Sequence, residues 1–212
     1  MMTWPTNAGA VGVAILLFAP AAARAGGEGP IHSTYQELRA SGCDLSKTPV
    51  YTPVVARLLR NVPFAVQGYV FKSDELTAAY KADGDWYKPN PDLELVLDDA
   101  DTACVQRLKV EEKRRRTQVS LPEAFEKLLT ADPAGFQALK TWGKALAEPG
   151  PKDSRDISGP KDGQWTLSLL VCELPPADMS KEDLEMWADT SPCSGLQLEC
   201  RPDDGCFAIV AG

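Results

Sequence analysis

The residue types that could do chemistry in this chain are carboxylates, one histidine and six cysteines. The 212 residues include 30 Asp and Glu, and His32 is the single histidine. A Ser-His-Asp or Cys-His site needs a positioned histidine, but His32 stands near the start of the predicted mature chain, where we expect a solvated side chain. Two carboxylates could hydrolyse a glycosidic bond, yet no spacing singles out a pair. The sequence therefore predicts no catalytic residue and a protein that is not an enzyme.

The common catalytic and phosphate-binding motifs are also absent from the sequence. The sequence contains no GxSxG, no GxGxxG, no HExxH and no GxxxxGK followed by Ser or Thr. A hydrolase that uses carboxylates from both halves of the chain is the alternative. A cleft between the halves, lined by two acids of raised pKa, would favour it.

The first 25 residues have the features of an export signal. An apolar run from Ala10 to Ala23 leads into the small-residue cleavage pattern Ala23-Arg24-Ala25. The run is shorter than the roughly 20 residues that cross a bilayer. We therefore predict a cleaved signal peptide over residues 1–25, no transmembrane segment in the mature chain, and a periplasmic or extracellular location. An uncleaved anchor or a mis-set start is the alternative.

Charge and cysteine content narrow the possible partners. The formal net charge of −8 does not suit nucleic acid, which attracts basic surfaces. An even number of cysteines in an exported chain predicts three disulfide bonds. No CxxC pair occurs, and the acids Asp98, Asp99 and Asp101 lack the glycine and distal glutamate of a calcium loop. We predict no metal and no cofactor.

Aromatic residues are densest between Arg60 and Pro89. They are Phe64, Tyr69, Phe71, Tyr80, Trp86 and Tyr87. Thr52-Pro53 predicts the start of a helix whose apolar face would extend to Val66. Pro63 would kink it or end it early, and Gly68 would stop it. We expect Phe71, Tyr80 and Trp86 to fill the centre of a small helical core.

This stretch resembles the YARHG domain, a short extracellular bacterial domain. Phe64-Ala65-Val66-Gln67-Gly68 stands on the motif that names the family, between Arg60-Asn61 and Trp86-Tyr87-Lys88-Pro89. The similar region covers about residues 52–116. Val66 and Gln67 replace the Arg and His of the motif, so any role of that pair is lost here.

The resemblance implies an exported protein but no activity, because the family has none established. We therefore predict a non-catalytic binding or interaction module of the bacterial cell envelope, with a glycan or a protein of the envelope as partner. The predicted ligand contact is Tyr69, Trp86, Tyr87 and Lys88, since polar-tipped rings beside a lysine suit sugar or peptide recognition. Alternatively, these rings close the helical core.

The pattern along the chain predicts an α+β protein. Its segments are the signal peptide (1–25), a leader (26–51), the helical domain that resembles the family (52–116), a helical pair (117–147), a loop or linker (148–163) and a small α+β unit (164–212). Residues 93–116 are predicted to form a helix with a bent start. Val110 is one of its apolar positions, and its basic end is expected to be solvated.

The last unit is predicted to hold a sheet of about three antiparallel strands. Alternating apolar residues mark a strand over 164–174, and Pro202 to Gly205 lie in the turn of a hairpin. A short helix is predicted from Ser180 to Trp187. If Cys200 faces the core, Cys206 must also face it, and Phe207 and Ile209 then turn outward.

The cysteines are predicted to pair within each half of the chain. They are Cys43, Cys104, Cys172, Cys193, Cys200 and Cys206. Cys43 and Cys104 flank the region that resembles the family and should form one bond. The other four, beyond the linker, allow three pairings, of which we favour Cys200–Cys206 across the hairpin with Cys172–Cys193.

We expect export with cleavage after Ala25, because the apolar run ends in a small-residue site. The intact mass of native protein should correspond to a chain that begins at Gly26. A purified chain that still begins at Met1 or Met2 would contradict the export prediction.

Overall fold

Helices precede strands along the chain. The computed structural model describes residues 27–150, 152–173, 179–180, 182–183 and 193–211, so the predicted signal peptide lies outside them. The described helices are α1 (Pro30–Ala40), α2 (Pro53–Val66), α3 (Asp74–Ala82), α4 (Asp99–Arg115), α5 (Glu123–Thr130) and α6 (Pro133–Ala147). The described strands are β1 (Ser154–Lys161), β2 (Gln164–Cys172), β3 (Cys193–Arg201) and β4 (Gly205–Ala211). The predicted α+β class is confirmed.

Side-chain caps set the helix starts. The Thr52 hydroxyl accepts a hydrogen bond from Val55 N at the start of α2, and Ser73 caps α3 by accepting one from Leu76 N. Asp98 and Asp132 begin α4 and α6 in the same manner, which satisfies amide groups that have no partner inside a helix. α2 continues past Pro63 to Val66, and Val66 is exposed rather than part of the apolar face.

The helices and the sheet share one hydrophobic core. Ile31 of α1, Leu59 of α2 and Leu108 of α4 belong to the same buried cluster as Leu167 and Leu198 of the sheet. The Phe125 ring of α5 lies 6.2 Å from the Trp165 ring of β2. The inner face of the sheet therefore packs on the helices.

Asp132 joins the helical part to the sheet. One carboxylate oxygen accepts from Ala134 N at the start of α6, at 2.6 Å. The other accepts from Cys206 N of β4, at 2.8 Å. One side chain therefore serves a helix terminus and a strand that are 74 residues apart in the sequence.

The prediction of a mobile leader with a solvated His32 is wrong. His32 lies in α1 and is 6% exposed, and Ile31, Tyr35 and Leu38 of the same helix are buried. These three residues have i, i+4 and i+7 spacing, which is one helical face. Whether the other predicted boundaries separate independent domains remains a prediction.

The prediction of a loop or linker over 148–163 is wrong for residues 154–161. They form β1, and the sheet has four antiparallel strands in the order β1-β2-β3-β4, not about three. Ile157 of β1 stands opposite Leu167 of β2. Nearly all of β1 is exposed, and an edge strand tolerates Pro160. Pairing with β2, rather than apolar content, makes it a strand.

Two details of the predicted 93–116 helix are also wrong. α4 begins at Asp99 rather than Leu93, and Val110 is exposed. The basic end is not uniformly solvated, because Arg115 is buried between Glu111 and Glu148, with nitrogen–oxygen distances of 2.8 Å to each. A buried guanidinium needs such partners.

The predicted hairpin and disulfides are confirmed. Cys200 and Cys206 face each other across β3 and β4, and Phe207 and Ile209 are half exposed on the outer face. The bonds are Cys43–Cys104, Cys172–Cys193 and Cys200–Cys206. Most of the helix predicted from Ser180 to Trp187 lies outside the described residues.

The Cys43–Cys104 bond should contribute more stability than the hairpin bond, because it closes a much longer loop, with separations of 61 and 6 residues. Replacing both cysteines with alanine should lower the free energy of unfolding by about 4 kcal/mol for Cys43–Cys104 and about 2 kcal/mol for Cys200–Cys206. Urea denaturation measures both losses. Non-reducing peptide mapping is the control, and a peptide joining Cys43 or Cys104 to a later cysteine would contradict the pairing.

Candidate functional site

The candidate site is built around the turn that ends α2. Gly68 has φ +95°, a conformation that glycine adopts without steric cost. A Cβ atom at Gly68 would lie 2.7 Å from the carbonyl oxygen of Lys88. Asn90 N donates to the Gly68 carbonyl oxygen at 2.8 Å. The turn is thus held against the extended segment that carries Trp86, Tyr87 and Lys88.

Tyr87 points into the protein. Its side chain is buried, and its ring packs 5.7 Å from Tyr80 and 6.1 Å from Phe71. The Tyr87 hydroxyl donates to the backbone oxygen of Tyr69 at 2.9 Å. Tyr87 therefore holds the backbone of Tyr69 from the interior of the protein.

Trp86 is half-buried and is held by Asp83. Its indole Nε1 donates to the Asp83 backbone oxygen and to Oδ2, each at 3.1 Å. The Trp86 ring stacks on His32, with centroids 4.8 Å apart and planes inclined by 28°. The indole edge thus has partners inside the protein.

Asp83 also caps α1. Its carboxylate oxygens accept from Ile31 N and His32 N, each at 2.8 Å. Burial raises the pKa of Asp83, and these hydrogen bonds oppose the rise because they favour the charged carboxylate. The aromatic cluster and α1 therefore share one buried acid.

Tyr69 and Lys88 lie at the surface. Tyr69 is 41% exposed, and its ring packs edge-on against Phe71 at 5.0 Å. Lys88 Nζ lies 2.5 Å from Asp85 Oδ1, and both side chains are mostly exposed. Such a surface ion pair leaves the lysine available to a partner, because it is weak in water.

Exposed apolar residues lie next to Tyr69 in the chain or beside its turn. Val66 and Val70 flank the turn on either side, and both are 49% exposed. Gln67 Oε1 accepts from Val96 N at 3.0 Å, which holds the exposed residues Leu95 and Val96 beside the turn. We call the exposed side chains of Val66, Tyr69, Val70, Leu95 and Val96 the motif surface.

The structure brings the four predicted site residues into one cluster but turns them in two directions. Tyr69 and Lys88 face solvent, whereas Trp86 and Tyr87 face the protein. That any of them contacts a ligand remains a prediction. Sequence reasoning missed the aliphatic members of the motif surface. No clear signal in the sequence marked them, because Val66 fits the apolar face of the predicted helix.

The described acids whose pKa is raised lie at two different places. Among the described residues, the carboxyl groups whose pKa is raised are Asp83 and Glu126, in both cases mainly through burial. Asp83 caps α1, whereas Glu126 lines a cavity between α2, α3 and α5. In the described part of the chain, no group of three or more His, Cys, Asp and Glu residues could hold a metal ion.

Comparison with known families found a similarity to the YARHG domain. The YARHG domain matches residues 31–113, which confirms the resemblance and extends it at the start to include most of α1. Comparisons with curated proteins and with solved structures gave no match. None of the described helices is long and apolar enough to cross a membrane.

Tyr87 and Lys88 should differ sharply when each is changed to alanine. Tyr87→Ala should lower the free energy of unfolding by about 3 kcal/mol, because it empties a buried ring site. Lys88→Ala should change it by less than about 0.5 kcal/mol. Thermal and urea denaturation measure both effects. Similar losses for the two variants would contradict the inward placement of Tyr87.

Proposed function

We propose that this chain, whose residues 31–113 match the YARHG domain, is an exported, non-catalytic binding module of the bacterial cell envelope that contacts a protein through the motif surface. The domain is an extracellular or periplasmic one without a known activity. Disulfide bonds at all six cysteines fit an oxidising compartment outside the cytoplasm.

The observation that carries this proposal is the concentration of exposed apolar side chains at one place. Five of the nine large apolar side chains that are exposed in the described residues belong to the motif surface. Single exposed apolar residues are ordinary, whereas a cluster of them marks an interaction site. A cluster beside the family motif supports a contact there.

The motif surface is held in place before any partner arrives. The Gly68–Asn90 hydrogen bond, the Tyr87 hydroxyl on Tyr69 and the Gln67–Val96 hydrogen bond fix its backbone at three points. Binding then costs little ordering entropy. In this proposal Tyr69 and Lys88 make contacts, while Trp86 and Tyr87 support them from inside.

The composition of the motif surface favours a protein over a glycan. Four of its five side chains are aliphatic, which suits packing against another apolar surface. Sugar recognition would use more exposed rings. The exposed acids Asp85, Asp92 and Glu94 lie near it in the sequence, so a partner with a basic rim would be complementary.

The departures from the family motif have a consequence for the partner. Val66 occupies the position of the motif Arg and is exposed. The neighbouring Gln67, in place of the motif His, uses its side-chain oxygen to hold Val96. We therefore expect this chain to bind a more apolar patch than a member with Arg and His would.

Retention on isolated bacterial envelope material tests the proposal. Tyr69→Ala and Val96→Ser should each reduce retention at least tenfold, because central apolar contacts carry about 1.4 kcal/mol or more. Val110→Ser is the matched control, since Val110 is as exposed as Val96 but lies on α4. It should leave retention unchanged, and the melting temperatures of Val96→Ser and Val110→Ser should stay close to that of the wild type.

Treatment of the envelope material identifies the class of partner. Prior protease digestion should abolish retention, and prior muramidase digestion should not. Retention that survives protease but not muramidase would show that the partner is a glycan rather than a protein. An absence of any retention of the wild-type chain would defeat the proposal.

A further inference from the structure

A cavity of about 250 Å³ lies between α2, α3 and α5, away from the motif surface. Its apolar wall consists of Pro53, Val54, Leu58 and Leu76. Its charged groups are Arg57, Glu75, Arg116, Glu123, Glu126 and Lys127. The volume is slightly below the range of pockets for drug-sized ligands, so the cavity suits a small molecule or a single side chain.

Most of the charged groups already have partners. Glu75 accepts a hydrogen bond from the Ser73 hydroxyl and lies 3.8 Å from Arg57 and from Lys127. Lys127 also pairs with Glu123 at 3.0 Å, and Arg116 pairs with Glu112 at 2.6 Å. These pairs compensate the charges around the mouth of the cavity.

Glu126 differs from the other acids of the cavity. It is partly buried, and among the described residues its carboxylate has no ion pair or hydrogen bond. Arg57 and Arg116 are near enough to act on its charge but do not bind it. A partly buried carboxylate without a direct protein partner can pair with a bound cation or donor without breaking an existing contact.

We propose that this cavity binds an amino acid whose aliphatic chain ends in a primary amine, with the ammonium group at Glu126 and the methylene groups against Val54, Leu58 and Leu76. An aliphatic stem with a charged tip matches an apolar wall beside one unpaired acid. Although Arg57 and Arg116 have partners of their own, both still act on the charge of Glu126 and disfavour a simple cation there, because like charges repel. A ligand that carries both an ammonium group and a carboxylate can pair with Glu126 and also offset the positive charge of the two arginines.

Two neighbouring groups have pKa values shifted in favour of their charged forms. On α5 the pKa of Lys127 is raised, chiefly by its hydrogen bond to Glu123, and on α3 the pKa of Glu75 is lowered, chiefly by its hydrogen bond from Ser73. Arg57 on α2 and Arg116 after α4 line the same cavity. Burial raises the pKa of Glu126 itself. Binding of the amine should therefore strengthen as pH rises through that pKa, because the ammonium group needs the charged carboxylate.

Titration of the full mature chain with 6-aminohexanoate tests the proposal, with methyl NMR spectra as the measurement. The Val54, Leu58 and Leu76 methyl signals should shift with a Kd near the millimolar range. Hexanoate, which lacks the amine, and hexylamine, which lacks the carboxylate, should each bind at least tenfold more weakly. Equal binding of hexanoate would overturn the role of Glu126.

Two Glu→Gln variants test whether the Glu126 carboxylate itself binds the ammonium group. Glu126→Gln should weaken 6-aminohexanoate binding at least tenfold without lowering the melting temperature, because it removes a charge that burial disfavours. Glu37→Gln, the same change at an exposed position of α1 outside the cavity, should alter binding less than twofold. Equal effects of the two variants, or no methyl shifts at any ligand concentration, would overturn the proposal.

This test is independent of the motif surface. Tyr69→Ala should leave the 6-aminohexanoate titration unchanged, and Glu126→Gln should leave envelope retention unchanged. A loss of both activities in either variant would overturn the inference that the chain has two separate sites.

Discussion

The carboxylate of Asp83 holds the first helix onto the rest of the helical part. It accepts two backbone N–H groups from the start of α1 and the indole N–H of Trp86. Burial of an acid is costly, and the positive end of the helix dipole together with the hydrogen bonds offsets that cost. Gly29 allows the approach, because a Cβ atom there would collide with the Asp83 carbonyl oxygen. Farther along α1, the Tyr35 hydroxyl donates to Asp101 Oδ1 at 2.8 Å and holds the same helix against α4.

The sequence allowed prediction of the parts of the fold that local chemistry decides. Thr52-Pro53 and Asp132-Pro133 begin helices because a side-chain acceptor precedes a proline suited to the first turn. The alternation in β2 and the register across Cys200 and Cys206 place Phe207 outside. β1 was not predicted, and only one or two helical turns over Thr34–Ala40 were expected where α1 lies, because each element also depends on a distant partner. α1 requires Asp83, about fifty residues later, and β1 requires the edge of β2.

In the candidate site, too, local chemistry was predictable from the sequence and long-range packing was not. Gly68 and the dense rings were evident from residue types alone, but the direction of each ring was not. Tyr87 turns inward because its hydroxyl finds the Tyr69 carbonyl oxygen across a turn, and Tyr69 remains outside. The cavity at Glu126 has no sequence signal, because it arises only where α2, α3 and α5 meet. Six charged side chains line it. Which of them pair, and that Glu126 has no direct partner in the described part of the chain, is decided by how the helices pack.

The buried cluster extends far beyond the segment that matches the family. The match ends at residue 113, inside α4, whereas the core continues through Phe125 and Phe136 to Leu198 in the sheet. Asp132 adds a polar link, since it serves α6 and β4 together. The matched segment is therefore smaller than the folding unit. A fragment cut at its ends would expose apolar faces that α5, α6 and the sheet cover in the whole chain, and it would be a poor substitute for that chain in any binding assay.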